Sequence, residues 1–285
     1  MKLILPAAIG TNMLTEKCNK TFANGVVYLL HTEDDFPIET TDTFLPFYTK
    51  DAIGNKQNCL RDYEVGSRAE RWMIGISCMS GCPVKCKFCA TAKLKKWRNL
   101  KYIEIVQQVM FILDKNGIHL NNNGEYVVDA MEFKINYTRM GEPFLNLDNV
   151  KKAIAIIDRI VKIKNGGKVH HYISTIGLQN SDFGWITGNI TLQISLHSLD
   201  EQKRNWLIPV SHKMTIEQLG QVRTYSNLKT TLNMTLVDER DFDIDVLRKH
   251  FDPNEFFIKL SPINKNDVSE KNNLGNGVIE AQNLI

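Results

Sequence analysis

Six cysteines occur in the 285 residues, and three of them fall in a C-x3-C-x2-C pattern. They are Cys82, Cys86 and Cys89, within Ser77–Lys96 (SCMSGCPVKCKFCATAKLKK), and Phe88 directly precedes the third. Three thiolates in one short loop can face a single point only around something that binds them. Soft thiolate ligands favour an iron–sulfur cluster, zinc or copper(I). Three ligands leave one iron of a 4Fe–4S cube without a protein ligand, open to a small chelating molecule. Cys78 adds a fourth thiol nearby, so a four-thiolate zinc site is the alternative. Such sites usually pair two C-x2-C knuckles across a longer spacer, whereas this run has a single knuckle. A disulfide framework fits less well with so few cysteines in a chain of this length.

Composition sets the background. The chain is 43% hydrophobic and 24% charged, an ordinary globular balance. Its formal charge of +3 is low for a dedicated RNA-binding protein. The one dense basic run, Lys93, Lys95, Lys96, Arg98 and Lys101, follows the cysteines and reads either as a solvated loop or as a phosphate or substrate contact. Glu33, Asp34 and Asp35 read as a loop tip, with recognition of a cationic group as the alternative. The first residues, MKLILPAAIG, carry one lysine and an apolar run broken by Pro6, too short for a signal peptide. The cytoplasm is the expected compartment, and it suits an oxygen-sensitive cluster.

The elements that must position the cysteines alternate. Residues 1–70 read as a small β-rich extension, with Val26–His31 and Phe44–Tyr48 extended and turns at Asp34–Asp35 and Gly54–Asn55. From Arg71, six strands are expected: Trp72–Ile76, Val127–Ile135, Val169–Ser174, Leu192–Leu196, Lys229–Val237 and Phe256–Leu260. Helices are expected at Tyr102–Leu113, stopped by Gly117, and at Asp148–Ile163, Thr215–Tyr225 and Asp243–Phe251. The third crossover reads as short or irregular. This alternation predicts parallel strands with helices outside, an α/β partial (β/α)6 TIM-like barrel over residues 71–265, with 266–285 as a polar tail.

In such a fold the residues at strand C-termini face the site. The second strand is followed by Arg139-Met140-Gly141-Glu142-Pro143, where the glycine permits close backbone approach and the carboxylate can accept from a ligand ammonium. The third ends in Ser174-Thr175, the fourth in Ser195-Leu196-His197, and the sixth runs into Ser261-Pro262-Ile263-Asn264. Taken singly, these short polar side chains read as turns or caps, and His197 as a packed histidine.

Together these segments resemble the radical S-adenosylmethionine (SAM) superfamily. The resemblance rests on C-x3-C-x2-C with an aromatic before the third cysteine. GCPVKCKFCATA, RNL (98–100), MGEPFLNLDNV, STIG, ISLH and SPIN are further similar to the RlmN/Cfr-type methyltransferases, which act on adenine carbons of RNA. It implies that Cys82, Cys86 and Cys89 bind a 4Fe–4S cluster whose open iron holds the SAM amino and carboxylate groups. Reductive cleavage of SAM then yields a 5′-deoxyadenosyl radical. It also implies that Phe88 lies near the adenine and that Gly141, Glu142, Ser174, Ser195, His197 and Asn264 bind SAM. A flavodoxin or ferredoxin is the implied electron donor.

Two departures redirect the expectation. The resembling methyltransferases carry a cysteine seven residues before the first ligand, where this chain has Gly75, and another in the C-terminal region, whereas here no cysteine follows Cys89. An N-terminal RNA-binding domain is not evident, and stable RNA binding is not expected. Without a thiol relay, the expected reaction is hydrogen abstraction from a small nucleobase-like molecule followed by bond cleavage. Queuine lyase, which releases 7-aminomethyl-7-deazaguanine in queuosine salvage, is the activity of this kind put forward. The alternative is RNA adenine methylation with an atypical methyl carrier. Tyr137, Arg139, Glu239 and Arg240 are the substrate candidates, with His170, His171 and Asp238 nearby in sequence; a carboxylate could pair with the guanidine-like edge of a deazaguanine.

Overall fold

The computed structural model describes residues 13–47, 65–235, 237–238 and 241–275. Tyr48, the turn expected at Gly54–Asn55, the substrate candidates Glu239 and Arg240, and the end of the tail lie outside the described residues. The chain divides into two compact units.

The first unit comprises residues 1–80, 99–140 and 146–171. Its strands are β1 (Leu14–Phe22), β2 (Gly25–Thr32), β3 (Pro37–Leu45), β4 (Arg71–Gly75) and β5 (Glu132–Tyr137), hydrogen-bonded in that order. The first three form an antiparallel meander that pairs antiparallel with β4, while β4 and β5 run parallel. The acidic Glu33–Asp35 stretch is the turn between β2 and β3. Asp35 takes a left-handed φ of 62°, and its carboxylate meets His31 Nδ1 at 2.6 Å.

Two amphipathic helices, α1 (Tyr102–Lys115) and α2 (Leu147–Ile160), bury their β-branched and leucine stripes. Glu104 accepts from the Lys101 amide at 2.7 Å, closing the start of α1, and the chain leaves its end through Gly117 at φ 73°.

Side-chain amides anchor the chain just ahead of the cysteine loop. Gln108 on α1 brackets the Ser77 peptide, accepting from its N–H at 2.8 Å and donating to its carbonyl at 2.9 Å. Buried Asn146 donates to the carbonyls of Cys78 at 2.7 Å and Leu100 at 2.8 Å.

The second unit comprises 81–98, 141–145 and the chain from Tyr172. Strand β6 (His170–Thr175) begins in the first unit and finishes in the second. There it is followed in the hydrogen-bonded order by β7 (Ile190–Ser195), β8 (Thr230–Thr235) and β9 (Phe256–Ser261). β7 to β9 are parallel, and Ser195 is in register with Asn233 and Thr235 with Ser261. The helices here are short: α3 (Glu201–Leu207), α4 (Ile216–Gly220), α5 (Ile244–His250) and α6 (Asp267–Lys271).

The six expected strands correspond to β4–β9, with one strand and three helices corrected. The stretch expected as one strand, Val127–Ile135, is two pieces. Tyr126–Val128 pairs parallel with Val161–Ile163, and β5 starts only at Glu132. For the same reason α2 stops at Ile160, because the β-branched Val161 and Ile163 are taken by that pairing. The helix expected to run to Tyr225 stops at Gly220, where a Cβ would lie 2.1 Å from the His250 carbonyl oxygen. Helix α3, not anticipated, starts at Asp200, whose side chain accepts from the Lys203 amide at 2.9 Å.

Asn146→Ala removes the side-chain donor from the Leu100 carbonyl and one of the two donors, the other being the Leu100 amide, from the Cys78 carbonyl. Urea unfolding is expected to show a loss of about 1–3 kcal/mol.

Candidate SAM and cluster site

The second unit contains the three loop cysteines and all the strand-end groups expected to hold SAM. The loop rests on an apolar cluster of Val84, Ile176, Leu178, Leu207, Ile208, Val237 and Ile263, against which Cys82, Cys86 and Phe88 pack. Desolvation governs the thiols. It pushes Cys82 up to about 11, with the Glu142 and Cys89 charges adding to the shift. It pushes Cys86 well above the usual range, helped by Cys89, Cys82 and Glu142. The three sulfurs therefore repel one another when ionised. Among the described residues, no three His, Cys, Asp or Glu side chains gather tightly enough to hold a single metal ion. Thiolate donors fit an iron–sulfur group, which would supply the missing positive charge. Cys78 is spoken for separately: buried, its thiol donates to the Met140 carbonyl at 3.6 Å.

The loop is braced from inside and outside. Lys85 adopts a left-handed φ of 58°, and its ammonium donates to the carbonyls of Ala92, at 3.1 Å, and Leu94. The Lys87 amide donates to the Leu207 carbonyl at 2.9 Å, at the end of α3. From the α6 segment, Asn266 donates to the Phe88 carbonyl at 3.0 Å and Asn272 to the Lys87 carbonyl at 2.9 Å, while Asp267 pairs with Lys93. Of the basic run, Lys93 is thus partly neutralised, and Lys95 and Lys96 are exposed.

Gly141 sits at φ 104°, a backbone state that side chains resist. It presents Glu142, which is 3% exposed and accepts from the amides of Phe144 at 3.2 Å and Ile176 at 2.9 Å. Burial raises its pKa to about 7 against the pull of these bonds and of Thr175. At the ends of β6 and β7, Ser174 Oγ and Ser195 Oγ lie 3.4 Å apart.

His197 follows at a left-handed φ of 64°, and its ring meets Phe88 edge-on with centroids 4.6 Å apart. Its Nδ1 accepts from the Thr235 amide at 3.1 Å, which fixes the neutral tautomer with the proton on Nε2. Burial, with nearby Arg204, lowers its pKa to about 3. Asn264 is exposed, and its carbonyl accepts from Asn266 at 2.8 Å.

Tyr137, Arg139, His170 and His171 belong to the first unit. Tyr137 is 1% exposed, with its hydroxyl 3.2 Å from His171 Nδ1; His171 Nε2 lies 3.0 Å from Asp158. Arg139 pairs with Glu39 of β3. His170 is partly buried, and desolvation lowers its pKa.

Sequence reading missed Arg204, Lys213, Lys85, Asn266 and Asn272. Asn266 was findable: with Ser269 three residues on, it carries the spacing of a capping box. The buried cations have no such signature.

No family model matches the chain. It is 36% identical over 199 residues to a protein of Pseudothermotoga lettingae named probable dual-specificity RNA methyltransferase RlmN; this covers 66% of this chain and 54% of that one. The protein of that name from Dictyoglomus thermophilum is 32% identical over 223 residues, covering 75% of this chain and 60% of that one. The chain thus spans little more than half the length of these relatives. A solved radical SAM methyltransferase from Sphaerobacter thermophilus matches with a TM-score of 0.61 at 20% identity, over 99% of this chain and 77% of that one. This chain has the radical SAM fold. The α/β class expected from strand–helix alternation is the one found. No helix among the described residues is long and apolar enough to cross a membrane.

His197 gives the site an acid limit. Its folded pKa lies below the ordinary 6.5, so the stability it contributes is complete above pH 6.5 and is lost as pH falls towards about 3. Asn tolerates positive φ and keeps an acceptor near the Thr235 amide. Over pH 4–6.5, denaturant unfolding of His197→Asn is expected to be less acid-sensitive than wild type by on the order of 1 kcal/mol per pH unit.

Proposed function

We propose that this chain is a radical SAM enzyme acting on a purine-type base, in the manner of the RNA methyltransferases it is similar to. The observation that carries this reading is the set of three loop thiols, two of them desolvated, in one compact unit with buried Glu142 and the Ser174–Ser195 pair. Cys82, Cys86 and Cys89 would hold a 4Fe–4S cluster, which supplies the electron that cleaves SAM to methionine and a hydrogen-abstracting 5′-deoxyadenosyl radical.

The chain's own residues divide the remaining work. Gly141 lets the backbone come close to the ligand, and Glu142 accepts from the SAM ammonium. Ser174, Ser195 and Asn264 offer hydroxyl and amide groups to the ribose and carboxylate. Phe88 and neutral His197 form an uncharged aromatic wall for the adenine. A small acidic electron carrier, a flavodoxin or ferredoxin, is the proposed donor.

Similarity to the RlmN proteins supports an RNA adenine as the substrate. A second reading, cleavage of a free base as in queuine lyase, draws on Gly75. A Cβ there would lie 2.4 Å from Thr41 Oγ1 and 3.1 Å from Arg139 Cδ, so the space a side chain would need is taken. Glu39 holds Arg139 there. In this reading Arg139 and the substrate candidates Tyr137, Glu239 and Arg240 serve a small nucleobase-like molecule.

Anaerobically reconstituted protein is given SAM and reductant with either RNA or queuine, following 5′-deoxyadenosine and methyl transfer from labelled SAM. Label entering RNA supports the first reading. 5′-Deoxyadenosine released only with queuine, together with the cleaved base, supports the second. Protein that binds no iron, or that cleaves no SAM under any condition, sinks both.

The raised pKa of Glu142 gives SAM binding a pH dependence. The carboxylate must shed its proton to accept from the ammonium, so affinity is expected to rise about tenfold per pH unit up to about 7 and then level. Calorimetric titration of Glu142→Gln should give weaker binding without that slope.

A further inference from the structure

Behind Cys86 the second unit buries two cations that the site chemistry above does not use. Arg204 of α3 is 0% exposed and Lys213 is 6% exposed. Arg204 Nη1 donates to the Met214 carbonyl and Nη2 to the Ile176 carbonyl, each at 2.7 Å, while its buried Nε has no hydrogen-bond partner among the described residues. Lys213 donates to Asn205 Oδ1 at 2.6 Å and to the Val210 carbonyl at 3.0 Å. All four acceptors are neutral.

Glu201 is the carboxylate that bears on both, and it already accepts from the Ile216 amide at 2.9 Å. A buried guanidinium without a directly bonded anion is costly. Helix α3 also touches the cysteine loop itself: Leu207 packs in the cluster beneath Cys82 and Cys86, and its carbonyl receives the Lys87 amide. The Cys86 charge acts on Arg204 and on Lys213.

Resting on the cluster reading above, we propose that Arg204 and Lys213 are positioning residues that place fixed positive charge behind the Cys86 ligand and so raise the reduction potential of the iron–sulfur group. A 4Fe–4S group on three thiolates is anionic and gains another negative charge on reduction. Cations held in a desolvated wall stabilise the reduced form more than the oxidised one, and they are not screened as surface charges are. The pair makes a one-electron donor of modest reducing power sufficient.

Iron- and sulfide-loaded protein is titrated anaerobically, and the midpoint potential is followed by electron paramagnetic resonance. Arg204→Met and Lys213→Met are expected to shift it to more negative values, Lys213→Met by less, while Arg204→Lys stays near wild type. Unchanged potentials in both Met variants at wild-type iron content overturn the inference. So does an Arg204→Lys potential as low as that of Arg204→Met, which would trace the effect to lost carbonyl contacts. If Arg204→Met does not fold or load, the Lys213→Met potential decides alone. Wild-type protein that takes up no iron–sulfur group instead overturns the reading of the cysteine loop.

Discussion

Putting the Cys82 and Cys86 thiols and a carboxylate out of water beside a third thiol is the constraint from which the rest of the second unit follows. Cys82 and Cys86 are harder to ionise because they are desolvated and because their neighbours share their sign. Glu142 is held back in the same way. The anionic state that a metal–sulfur group requires is therefore unfavourable until positive charge arrives between the groups. Metal uptake at such a site must release protons. The amides donated to Glu142 and the cations behind Cys86 reduce that cost without removing it.

Rigidity is supplied by the backbone and its caps. Lys85 and His197 both take left-handed conformations that non-glycine residues seldom adopt, and each is over-determined by its surroundings. Lys85 is tied to two carbonyls across its own loop, and His197 to the Thr235 amide and the Phe88 ring. Ahead of the loop, Gln108 and Asn146 fix Ser77 and Cys78 through their peptide groups. Any side chain of the right shape could fill a core. These amides must match a donor and an acceptor at set positions, which is a stricter demand.

The sequence made the six strands legible because runs such as Phe256–Leu260 and Trp72–Ile76 are apolar and bounded by turn residues. Cys82, Cys86 and Cys89 were legible because spacing alone restricts what three thiols in one loop can do. What escaped was decided by distant partners. Nothing within Val127–Ile135 says that its first residues pair with Val161–Ile163, and nothing near Gly220 announces the His250 carbonyl. Arg204 reads as a surface helix residue, since burial of a charge depends on acceptors 10 and 28 positions away. Tyr137 reads as a substrate candidate by its place at a strand end, and only the structure shows that its hydroxyl lies 3.2 Å from His171 Nδ1.

The reach of Asn266 and Asn272 back to the cysteine loop has a temporal side. These bonds span 178 and 185 positions of sequence. At ribosomal speeds of about 5–20 residues per second, roughly ten to forty seconds separate the emergence of the thiols from that of the asparagines that clasp them. Throughout that interval the nascent sulfurs lack their outer brace and are open to oxidants and stray metals. Faithful maturation then favours a cell that withholds iron and sulfide from this segment until translation has moved well past it.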